Sequence, residues 1–79
     1  MESIAKIFSS LTDEELLVLM DEFTYCEEHG FYPEESNLRE LCKNVSAVTG
    51  LDVSSNIMMV QLNVLRECAL RWKKIIENN

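Results

Sequence analysis

The sequence predicts an all-α fold: a small four-helix bundle with a long, broadly apolar C-terminal helix, forming one domain over residues 1–79. Three observations predict it. Two glycines and one proline are the only strong breakers in 79 residues, which suits long helices and not a strand-rich fold that needs frequent turns. Apolar residues recur at three- and four-residue intervals, the spacing of one helical face. Hydrophobic residues make up 47% of the chain, well above a disordered composition, although a domain this short buries only about 60% of its unfolded surface.

Taken in order, Ile4, Ile7, Phe8 and Leu11 share a face and predict a short first helix from about Glu2 to Ser10. Thr12 and Glu15 then form a capping box, in which each side chain accepts from the other residue's amide, with Leu11 and Leu16 as a hydrophobic staple. The second helix runs from there to His29, buries Leu16, Leu19, Met20, Phe23 and Cys26, and ends at Gly30 in a left-handed cap. Pro33, Glu34 and Glu35 have the chemistry of a helical first turn, and the third helix is expected from Pro33 to about Thr49. Its core stripe is Leu38, Leu41, Cys42, Val45 and Val48, and Gly50 closes it. Asp52, Ser54 or Ser55 caps the fourth helix, which continues to about Glu77. In that helix Ile57, Met58, Leu62, Val64, Leu65, Cys68, Ala69, Trp72, Ile75 and Ile76 cover an arc of roughly 160°. An arc so wide predicts a central post contacted on two sides.

The start MESIAKIF has an acidic rather than basic n-region and no long apolar stretch, so no secretory signal is expected. No apolar run approaches the ~20 residues of a membrane span. Cys26, Cys42 and Cys68 are odd in number and widely spaced, which fits neither a disulfide framework nor a CxxC zinc pair and points to a reducing, cytoplasmic setting.

Little in the sequence carries catalytic chemistry. His29 is the single histidine, and Cys26, three residues before it, shares a face with Leu19 and Phe23 as a small core residue. No enzyme activity, cofactor or metal is expected, because Cys26, His29 and Cys42 lack a fourth zinc ligand at useful spacing. Aligning Gly30 with the central glycine of a calcium loop puts Tyr25, Glu27, His29 and Ser36 at loop positions 1, 3, 5 and 12. The first aspartate and last glutamate of an EF-hand are therefore missing; a ligand-free helix-loop-helix survives, and an ordinary helical hairpin is the favoured reading. A helix-turn-helix across Gly50 fails too, because Val53 to Val64 contains no Lys or Arg and a net charge of −7 repels phosphate. Asp52-Val53-Ser54-Ser55 ahead of an apolar helix invites comparison with acyl carrier proteins. Those carriers have two more helices after the modified serine, whereas one long helix follows here.

Charge is divided along the chain. Residues 1–38 carry ten acids and one base, a net of −9, whereas residues 39–79 carry four acids and six bases, a net of +2. Such asymmetry selects basic partners. On the second helix Leu17, Val18 and Tyr25 stand away from the core stripe among Glu14, Asp21 and Glu22, a predicted apolar patch with an acidic rim. Met59 and Leu70 form a second candidate interface on the polar arc of the fourth helix. The expected role is a small acidic cytoplasmic interaction module: an adaptor, escort or inhibitor, virus-encoded in one version, that occupies a basic surface on another protein. It binds neither nucleic acid nor membrane in this reading. The module could act as a homodimer; the alternatives are a DNA mimic that inhibits a nucleic-acid-binding protein and, behind it, an acyl-carrier-like or ligand-free EF-hand-like domain.

Overall fold

The computed structural model describes residues 3–78 and contains four helices: α1 (Ile4–Ser9), α2 (Asp13–His29), α3 (Asn37–Thr49) and α4 (Val53–Glu77). Among the described residues there is no strand, so the all-α bundle stands. Local sequence sets most of the boundaries. Ser3 caps α1 by accepting from the Lys6 amide at 3.2 Å; Glu2, placed at the predicted start of this helix, lies outside the described residues. The Thr12 capping box is complete: the Glu15 amide donates to Thr12 Oγ1 at 3.1 Å and the Thr12 amide donates to Glu15 Oε1 at 2.9 Å. Gly30 (φ 81°) and Gly50 (φ 75°) end α2 and α3 in the left-handed conformation that L side chains rarely adopt. Of the three candidate caps for α4, Asp52 is the one used; its Oδ1 accepts from the Ser55 amide at 2.8 Å.

The hydrogen bonds at these caps hold the Glu15 and Asp52 carboxyls below their ordinary values of 4.5 and 3.8. A depressed carboxyl contributes stability that is fully present above its ordinary value and is lost as pH falls through the lower value in the folded state. Thr12→Ala is expected to cost about 1 kcal/mol, read as a lowered urea midpoint at neutral pH, and to remove part of the acid sensitivity. An unchanged midpoint would contradict the capping role.

The third helix begins later than the sequence predicts. Pro33, Glu34 and Glu35 lie in the connecting segment, and α3 starts at Asn37 behind the N-cap Ser36, whose Oγ accepts from the Arg39 amide at 3.1 Å. The reason is tertiary. Glu22, from the middle of α2, accepts the amides of Asn37 (2.8 Å) and Leu38 (2.9 Å) and the Asn37 side-chain amide (2.9 Å), so the first donors of α3 are satisfied where the two helices meet.

The core is small. It consists of Phe8 from α1, Leu16 and Leu19 from α2, Leu38, Leu41, Cys42 and Val45 from α3, and Val60 and Val64 from α4. Met20, Phe23, Cys26, Val48 and Cys68 are half-buried instead of buried, so of the three thiols only Cys42 is fully enclosed. Burial pushes the Cys42 and Cys68 thiols up. Asn56, 2% exposed, joins α3 to α4 by donating from Nδ2 toward Ser46 Oγ (3.0 Å), Thr49 Oγ1 (3.2 Å) and the Asp52 carbonyl (3.2 Å).

The largest departure from expectation lies in α4: it contacts all three shorter helices, as a central post would, but they leave most of its predicted apolar arc uncovered. Its buried line runs through Asn56, Val60 and Val64, of which only Val64 belongs to the predicted apolar arc, at its edge, and most of that arc faces outward. From Trp72 to Asn78 every residue is exposed, so no side chain of the last turns is buried. The molecule measures 40 × 36 × 17 Å. Its radius of gyration of 13.1 Å exceeds the about 11.6 Å of a compact chain of this length.

Candidate interaction surface

At 100° per residue, Met58, Leu62, Leu65, Ala69, Trp72 and Ile76 fall within about 80° of one another, centred about 160° around α4 from its buried line. All six are exposed. Met58 keeps 69%, Leu62 65% and Trp72 65% of its surface in solvent. Their spacing alternates four and three residues, the seam of a helix that packs along another helix. Arg66 and Lys73 flank this seam on one side, with Gln61, Cys68 and Ile75 on the other.

Beside the seam, Leu65 also lines a groove of about 450 Å³ with Met20, Phe23, Tyr32 and Gln61. Phe23 and Tyr32 meet edge to face at 6.4 Å between ring centroids, and Gln61 Nε2 donates to the Tyr32 hydroxyl. This hydrogen bond supplies the partner that a glutamine on the predicted apolar face of α4 requires. Desolvation raises the Tyr32 hydroxyl above its ordinary value, so it stays protonated at neutral pH.

The patch predicted on α2 is only partly assembled. Glu14, Leu17, Val18 and Asp21 are exposed, and Glu14 and Val18 border a shallow groove of about 300 Å³ with Leu11, Asn37, Leu41 and Asn44. Glu22 is not part of its rim: it is 8% exposed, and its carboxylate is consumed by the start of α3. Tyr25 lies about 10 Å further along the helix than Val18 and is half-buried. Its ring packs on His29 at 4.2 Å and on Phe31 at 6.0 Å between centroids. The second predicted pair also divides. Met59 is half-buried against the core, whereas Leu70 is exposed in a groove with Leu11 and Arg71.

Arg71 fixes that region, donating to Asp13 Oδ1 at 2.8 Å and to Glu67 Oε1, and to the Leu11 carbonyl at the α1–α2 junction. Among the described residues no three His, Cys, Asp or Glu side chains are grouped to hold a metal ion, and no helix is long and apolar enough to cross a membrane. The chain matches no protein-family model, no curated protein and no solved structure.

Sequence reasoning missed the seam because it assigned these side chains to the core. The signal was present in two forms: the alternating spacing from Met58 to Ile76, and an apolar arc wider than the short helices can cover.

Proposed function

We propose that this chain is a non-catalytic protein–protein interaction module that works by presenting a helix face to another polypeptide. The observation that carries this reading is the exposed seam of α4, from Met58 to Ile76, with a tryptophan at its C-terminal part. Large apolar side chains grouped on one helix face are the anchors of helix-mediated contacts, and monomeric proteins seldom leave such a group uncovered. The acidic surface of α2, where Glu14 and Asp21 remain exposed, supports a further preference for basic surfaces by steering association. Adaptor, escort and inhibitor are all forms of this role.

The test is affinity capture and chemical cross-linking in the cell that produces the protein, with the parent and Leu62→Arg as baits. Leu62 is exposed, so the substitution leaves the circular dichroism spectrum intact. The expected result is a discrete complex that the parent forms and Leu62→Arg loses. A parent chain with no companion, or companions unchanged by Leu62→Arg, would contradict the proposal.

A further inference from the structure

Resting on the reading of α4 as a docking face, we propose that the occupant of the seam is a second copy of this chain, packed as an antiparallel α4–α4 pair with its two-fold axis beside residue 67. Area supports it first. The seam and Ile75 expose on the order of 700 Å² on each copy, so a symmetric pair covers at most about 1,400 Å², enough to reach the about 1,200–2,000 Å² of stable complexes.

Side-chain size supports the direction. With the axis beside residue 67, Leu65 lies against the partner's Ala69, Leu62 against the partner's Trp72, and Met58 against the partner's Ile76. The smallest residue of the seam is thus flanked by a leucine, and the largest meets a residue of moderate size. A parallel pair would instead stack Trp72 on the partner's Trp72 one layer from an Ala69 pair, placing crowding beside a void. The buried line and the seam lie on nearly opposite sides of α4, so adding a second copy on the seam gives each α4 packed neighbours on both faces.

Electrostatics act against the pair at low salt. Each copy carries −7, and Arg66 approaches the partner's Arg66 near the axis. Screening weakens both repulsions, so association strengthens as ionic strength rises.

The experiment is sedimentation equilibrium on the purified full chain, from low micromolar to submillimolar concentration and at two salt levels. A monomer–dimer equilibrium favoured by salt is expected. Leu62→Arg and Trp72→Glu should each weaken it roughly a hundredfold or more, because every seam substitution is present twice, while Leu17→Arg on α2 leaves it unchanged. Register is read in a Cys68→Ser background: Leu65→Cys with Ala69→Cys should cross-link the copies, and Ala69→Cys alone should not. A chain that stays monomeric at submillimolar concentration overturns the second copy as occupant. If the complex in the producing cell is nevertheless lost with Leu62→Arg, the docking face itself stands. A dimer indifferent to both seam variants, or one cross-linked by Ala69→Cys alone, overturns the proposed pairing.

Discussion

Glu22→Leu is expected to lower stability by about 3 kcal/mol, a large fraction of the roughly 4–12 kcal/mol typical for a chain of this length. The carboxylate accepts three hydrogen bonds at 2.8–2.9 Å, two from the first amides of α3 and one from the Asn37 side chain. Hydrogen bonds to a charged acceptor are worth about 1.5–3 kcal/mol each, and leucine would leave the Leu38 amide enclosed without an acceptor. Glu22→Gln keeps one acceptor oxygen but turns an amide group toward a backbone donor, and should fall between the two at about 1–2 kcal/mol. Urea unfolding followed by circular dichroism measures both. Equal midpoints for parent and Glu22→Leu would show that water satisfies the start of α3 and that the link between α2 and α3 is dispensable.

Asn56→Ala should cost about 2 kcal/mol for a related reason at the other junction. Its amide is the shared donor for Ser46, Thr49 and the carbonyl of Asp52, and it holds the end of α3 against the first turn of α4. Alanine removes the donor, leaves a small void and frees three acceptors in a region where every buried side-chain polar atom among the described residues has a partner. Ser46→Ala removes one acceptor of the three and should cost well under half as much. If the two variants unfold at the same urea concentration, the Asn56 amide depends on Ser46 alone.

The features legible in the sequence are those decided within a few residues. Thr12 with Glu15, Gly30, Gly50 and Asp52 each act through local backbone geometry, and each sits where that geometry requires. Pro33 had the right chemistry for a helix start. The start moved to Asn37 because Glu22, fifteen residues earlier, offers a better acceptor than solvent at that point. A glutamate among other acids on α2 looks like rim charge until the neighbouring helix is in place.

The same limit governed α4. Periodicity identified which apolar side chains share a face, but it carries no information about which side of the helix has neighbours. The core selected Val64 at the margin of the arc and Val60 just outside it, and the centre of the arc became surface. Tyr25 was legible as standing off the core stripe of α2, whereas its contacts with His29 and Phe31 depend on how the chain turns after Gly30.

Trp72 offers the most direct test of the claim that a second copy fills the seam. It is the single tryptophan of the chain and lies in the seam, 65% exposed in the isolated subunit. Its emission spectrum and its quenching by acrylamide can be followed in the unmodified protein from low micromolar to submillimolar concentration. The proposed pairing predicts a blue shift and falling quencher access as concentration rises, both stronger at high salt and both absent in Leu62→Arg. Emission that stays at the wavelength of a solvent-exposed indole, with undiminished quenching at the highest concentration, would contradict it.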